Sequence, residues 1–127
     1  MIEKYYVPGD EEEPEINLDA ENNYFAISGR SIPENANTIF LPVIEWLNKY
    51  FKAPNTQTTL NFKLEYLNSS SSKKVTEILL LLEKQYEKGC NLKVHWYYAS
   101  NDKSMEKKGR EFLSIFNMPF EIIASLE

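Results

Sequence analysis

The most regular pattern in the chain runs from residue 58 to the end. Leu60, Phe62, Leu64 and Tyr66 alternate with Asn61, Lys63 and Glu65, the period of a strand whose first set, Tyr66 included, faces a core. Val75, Ile78, Leu79, Leu82 and Tyr86 then recur at helical spacing to about Lys88, and Gly89 is placed as a C-terminal cap. Leu92, Val94, Trp96 and Tyr98 form the next alternating strand, with Lys93, His95 and Tyr97 on its other face. Met105, Gly109, Phe112 and Phe116 mark a helix with Asp102 as its N-cap, and Phe120, Ile122 and Ala124 close the chain as a strand. The first half is less regular. Ile16 to Leu18 and Tyr24 to Ser28 read as two short strands around a turn at 19–23. From Ala36 to Phe51, Phe40, Val43, Ile44, Leu47 and Tyr50 suit a helix, but Pro42 forbids a regular interior, so the helix starts near Pro42 or a separate turn precedes it.

The resulting order is β-β-α-β-α-β-α-β. Strands alternating with helices imply a largely parallel sheet with right-handed crossovers. Strands covered on both faces would be continuously apolar, whereas these alternate. The expected fold is therefore α/β, a small mixed β-sheet with helices mainly on one face. Residues 1–14, which include Asp10-Glu11-Glu12-Glu13-Pro14, read as an acidic, flexible arm, and residues 15–127 as a single domain.

Composition narrows the partners. Residues 1–21 hold eight acids and one base, and the remaining residues are nearly neutral, for a net charge of −5. With no basic field to hold a phosphate backbone, nucleic-acid binding is not expected. No apolar run is long enough to span a membrane, and the first residues lack the order of a signal peptide. Cys90 is the only cysteine, which rules out an intrachain disulfide and fits a reducing cytoplasm. Neither Cys90 nor the single histidine, His95, has companions for a metal site, and no phosphate-cradling glycine loop is present, so no metal, cofactor or catalytic residue is expected. The aromatic run Trp96-Tyr97-Tyr98 is read as core packing rather than base stacking.

The candidate chemistry lies where the first long strand meets its helix, at Tyr66-Leu67-Asn68-Ser69-Ser70-Ser71-Ser72-Lys73. A helix start leaves backbone N–H groups unpaired at the positive end of the dipole, a good place for a phosphate on a ligand or on a serine. One hydroxyl suffices for capping, and four serines exceed that need. A nucleophilic serine lacks the Gly-x-Ser-x-Gly elbow and any base in sequence. The loop Gly29-Arg30-Ser31-Ile32-Pro33-Glu34-Asn35-Ala36 reads either as a cap for the next helix or as a binding loop.

Taken together, Gly29 to Ala36, Pro42-Val43-Ile44-Glu45-Trp46-Leu47, Leu64 to Ser71, Val94-His95-Trp96-Tyr97-Tyr98 with Asp102 and Met105, and Pro119-Phe120 resemble the SiaC family of bacterial regulatory phosphoproteins. The likeness keeps segment order from about Pro14 onward. It implies a fold similar to STAS-type anti-sigma-factor antagonists and a switch by phosphorylation of the Thr or Ser directly after the junction asparagine. Here that residue is Ser69, after Asn68, with Ser70 and Ser71 as chemically similar rivals. The resemblance further implies a serine/threonine kinase, a PP2C-like phosphatase and an effector bound by the bare form, a diguanylate cyclase in the family's best-understood member. The partner surface is expected to combine Arg30, Ser31, Pro33, Glu34 and Asn35 with Asn68, Ser70 and Lys73. The competing reading is a small-ligand or phosphate-ester-binding domain, or an enzyme, that uses the serine-rich helix start as an anion site.

Overall fold

The structure, a computed structural model, describes residues 2–125. Six strands and three helices follow one another as β1 (Tyr5–Val7), β2 (Glu15–Asp19), β3 (Tyr24–Ser31), α1 (Asn37–Tyr50), β4 (Thr58–Leu67), α2 (Ser69–Glu87), β5 (Leu92–Ala99), α3 (Lys103–Ile115) and β6 (Phe120–Ser125). The strands lie in one sheet in chain order. β1, β2 and β3 pair antiparallel, while β3, β4, β5 and β6 pair parallel. Each parallel connection moves one strand over in the same direction, so right-handed crossovers put all three helices on one face. The sheet is mixed and helix-covered on one side, as its alternating strands predict.

The core lies between that face and the helices. Ile16, Leu18, Phe25, Ile27, Leu60, Phe62, Val94 and Trp96 project from the sheet against Phe40, Val43, Leu47, Val75, Ile78 and Leu79. Trp96 is the largest fully buried side chain. It packs on Phe62 and Phe112 with ring centroids 5.5 and 5.4 Å away, and its indole N–H donates to the Met105 carbonyl at 3.1 Å. Gly109 lets α3 come this close. Of the aromatic run, only Trp96 is fully in the core: Tyr97 lies on the open face, under the Lys63 ammonium at 5.2 Å.

Three expectations change. The leading segment is not a free arm, because β1 pairs with β2 and the Trp46 indole donates to the Glu3 carbonyl at 2.7 Å. Ile2, Tyr5 and Val7 pack against the core. Four of its five acids, Asp10 to Glu13, lie in an exposed turn, where the Asp10 carboxylate accepts from the Glu12 and Glu13 N–H groups, both at 2.8 Å. Averaged over 14 residues, that acidity masks a short apolar strand. Second, α1 begins at Asn37 and contains Pro42. Proline removes one early intrahelical bond there, and burial of Phe40, Val43, Trp46, Leu47 and Tyr50 outweighs the loss.

Third, Tyr66 is on the open face, about half exposed, rather than on the core face. The pairing with β3 runs Gly29 to Leu64 and then Arg30 to Tyr66, leaving Glu65 as an extra residue. This bulge reverses the alternation, so Tyr66 turns outward under the Arg30 guanidinium (5.9 Å) and Leu67 turns into the core. Opposite the bulge, Gly29 has φ of +99°, a conformation that strains any other L-residue.

The β2–β3 turn carries the clearest pH dependence. The side-chain amide of Asn22 donates to the Asp19 carboxylate at 2.8 Å, and the Asn22 backbone N–H adds a second bond at 3.1 Å. These bonds, with a smaller contribution from Lys4 at 3.9 Å, hold the Asp19 carboxyl below its ordinary value. The folded state binds the proton more weakly, so the stabilisation is present above the unfolded pKa of about 3.9 and is lost as pH falls through the folded value. Urea unfolding across the acid range should show Asp19→Asn losing less stability with falling pH than the parent. At neutral pH, Gly109→Ala should cost about 1–3 kcal/mol by overpacking, since a Cβ there lands against Trp96 Cδ1 and 2.7 Å from Nε1. A parent-like urea midpoint would refute that packing.

Candidate functional site

Strands β3 and β4 run parallel, so their carboxyl ends, and the loops that follow, meet at one edge of the sheet. Asn68 is the fastener. Its extended backbone (φ −81°, ψ 177°) makes it the N-cap of α2, where Oδ1 accepts from the Ser71 N–H at 2.9 Å. Nδ2 donates to the Pro33 carbonyl at 2.9 Å, the backbone N–H donates to the Ser31 carbonyl at 3.0 Å, and its carbonyl accepts from the Ser72 N–H at 2.9 Å. The Ser70 hydroxyl adds a bond, accepting from the Ala36 N–H at the head of α1 at 3.2 Å. The serine junction and the 29–36 loop thus form one structure, with two helix starts side by side.

The four serines have separate fates. Ser71 is fully buried, its hydroxyl 2.6 Å from that of the equally buried Ser31. This removes Ser71 as a rival phosphorylation site in the folded chain, and it removes the Ser31 side chain from any partner surface. Ser70 is half-buried and bonded to α1, and Ser72 accepts from the Lys108 ammonium at 3.1 Å. Ser69 is exposed, and its hydroxyl has no hydrogen-bond partner among the described residues. As the first residue of α2, it sits where a helix tolerates added negative charge best.

The expected partner residues also divide. Glu34, Asn35 and Lys73 are exposed and Pro33 is half-buried, at the same edge as Asn68 and Ser70. Arg30 is exposed but directed to the open sheet face, against Tyr66. Two nearby groups escape the sequence pattern. The acidic 10–13 turn sits beside this edge, since the Ile32 N–H donates to the Glu12 carbonyl at 2.9 Å. Lys108 reaches α2 from α3, and its only trace in sequence is a position one residue before Gly109 on a helix.

Among the described residues, the junction serines line none of the three clearest depressions. The large open depression, about 1340 Å³, lies on the other side of the sheet's carboxyl edge and is lined by Arg30, Lys63, Tyr97, Asn101, Lys103 and Ile123 among others. The buried serine bonds to another serine, not to a base. His95 lies on the open face, 3.1 Å from the Glu121 carboxylate without hydrogen-bonding alignment. The geometry at the junction suits contact with a surface rather than enclosure of a small molecule. Among the described residues, no helix is long and apolar enough to cross a membrane.

Comparison with known proteins points the same way. An uncharacterised protein of Pseudomonas aeruginosa strain UCBPP-PA14 is 30% identical over 119 residues, 94% of each chain. The crystal structure of apo-SiaC from P. aeruginosa superposes with a TM-score of 0.90 at 29% identity, covering 97% of this chain and all of that one. SiaC in its complex with the diguanylate cyclase SiaD, which it activates, gives a TM-score of 0.89 at 30% identity over 95% of this chain and 99% of that one. The family described as SiaC family regulatory phosphoprotein matches residues 7–125, from the last residue of β1 through β6. On the match over nearly its whole length, this chain belongs to the SiaC family of regulatory phosphoproteins.

Proposed function

We propose that the protein is a non-enzymatic cytoplasmic switch whose bare form docks on a diguanylate cyclase and activates it, and that phosphate on Ser69 blocks docking. The observation that carries this reading is the sorting of the hydroxyls: of residues 69–72, Ser69 alone is both exposed and without a hydrogen-bond partner. A serine/threonine kinase adds the phosphate and a PP2C-like phosphatase removes it. The effector class is supported by the likeness to SiaC bound to SiaD. The docking surface consists of Pro33, Glu34, Asn35, Asn68, Ser70 and Lys73 around Ser69, with Arg30 at its rim.

The exclusion is electrostatic. Phosphorylation brings about −1.5 to −2 charges to a neutral, solvated position. Free in water, that charge costs the fold little. Beneath a docked partner it would be desolvated, at a cost of several kcal/mol unless the partner supplied a cation. Docking and phosphorylation then compete for one surface, and no change of fold is required.

Cyclase binding measured by surface plasmon resonance, with the cyclase that co-purifies from the native host, tests the reading. The parent and Ser69→Ala should bind alike, Ser69→Asp should bind about tenfold more weakly, and the phosphorylated chain weaker still. Equal affinity of the bare and phosphorylated chains would sink the proposal, as would phosphopeptide mapping that found Ser69 bare and Ser70 or Ser72 modified. Asn68→Ala should act differently, lowering stability by about 1–2 kcal/mol through loss of the cap and of the bond to Pro33. It should weaken cyclase binding with no added charge, so high salt should leave that loss in place.

A further inference from the structure

Lys108 projects from α3 toward the first turn of α2, and its surroundings are incomplete. The side chain is half-buried, and its ammonium donates to a neutral hydroxyl, Ser72 Oγ, at 3.1 Å. No carboxylate of the described residues lies within ion-pair distance of it. Its neighbours are provided for: Lys74 pairs with Glu77 at 2.9 Å and Arg110 with Glu106 at 3.0 Å. An ammonium whose hydrogen-bond partner is a neutral hydroxyl can still gain from a charged acceptor in its place.

We propose that Lys108 takes up the phosphoryl group of phosphorylated Ser69, leaving Ser72 to do so, and thereby links α3 to the switch. The proposal rests on the reading of Ser69 as the modified residue. Reach favours it. Residues three apart on a helix are surface neighbours, with Cβ atoms about 5–6 Å apart. Helical side chains lean toward the N-terminus, so Ser72, and the ammonium on it, lean over the turn that Ser69 begins. A phosphate extends beyond the serine hydroxyl and offers three charged acceptors in place of one neutral one. Hydrogen bonds between charged partners are roughly twice as strong as neutral ones.

The other charges near Ser69 compete poorly. Lys73, four residues on, is exposed, and solvent and salt screen it. Lys74 is held by Glu77, and Glu34 on the adjoining loop would repel the phosphate. Lys108 is a positioning residue here: the phosphate is on Ser69, and Lys108 fixes where it points.

The test uses the full chain with phosphoserine placed at position 69 during translation, titrated by 31P NMR. A free phosphoserine has its second pKa near 6. In the parent it should lie lower, and Lys108→Met should raise it by about half a unit or more, because a cation at hydrogen-bonding distance favours the dianion. Lys108→Arg should keep it low, and Lys107→Met, on the exposed neighbour, should leave it unchanged. A Lys108→Met titration that overlays the parent overturns the proposal, and so does a shift reproduced in full by Lys73→Met. Should Lys108→Met fail to fold, Lys108→Gln read against Lys108→Arg decides by the same criterion. The two readings fail separately. A phosphorylated chain that still binds the cyclase defeats the switch, whereas an intact switch with an unmoved 31P titration defeats only the role of Lys108.

Discussion

Asn68 makes four hydrogen bonds that join the end of β4, the start of α2 and the 31–36 loop, and few residues could make the same set. Two of the bonds come from its carboxamide, one donated and one accepted. Aspartate has no proton to give Pro33, and serine is too short to reach in both directions. A carboxamide at this point therefore satisfies a helix start and a loop carbonyl at once. The remaining features of the edge follow. With α2 fixed in this rotation, Ser71 must enter the core and Ser69 must leave it.

The buried hydroxyls show the cost of that arrangement. Ser31 and Ser71 are each fully buried and each bonded to the other, so losing either would strand a polar group away from water. Four adjacent serines thus divide between structural and exposed roles over a single turn. On the far side of the sheet, cations and aromatic rings alternate instead. Lys63 lies over Tyr24 and Tyr97, and Arg30 over Tyr66. With all three helices on the opposite face, this side stays solvated, which is why its strands alternate in polarity.

The architecture was largely legible in the sequence because it rests on local periods. Period-two alternation marked β4 and β5, helical spacing marked α2 and α3, and the alternation itself argued for a sheet covered on one face. What escaped depends on non-local detail. β1 is three residues long and sits next to a run of acids that dominates its composition. Pro42 lies inside α1 because tertiary burial outweighs one missing bond. At the candidate site, the resemblance pointed to the position after Asn68, and in the fold that serine is exposed. The division between Ser69 and Ser71 was not legible, since it depends on helix rotation and on Ser31, forty residues away. Lys108 gave no signal, because a lysine on the flank of a helix looks the same whether or not it reaches a neighbouring one.

Glu65, the unpaired residue of the β4 bulge, has a bearing on how such chains can vary in length. Side chains on a strand alternate, and the bulge absorbs the extra residue, so β4 arrives at Asn68 in the phase of a strand without it. Deleting it would leave Tyr66 paired with Arg30 and Leu67 with Ser31. Straightening the bulge with Glu65 retained would instead exchange the faces of Tyr66 and Leu67, setting an apolar side chain in water and a tyrosine ring against the core. Asn68 would then meet the 31–36 loop half a strand period out of step. A homologue can therefore differ by one residue at this point and keep the frame, provided that the bulge comes or goes with that residue, so the bulge absorbs a change of length without moving Asn68.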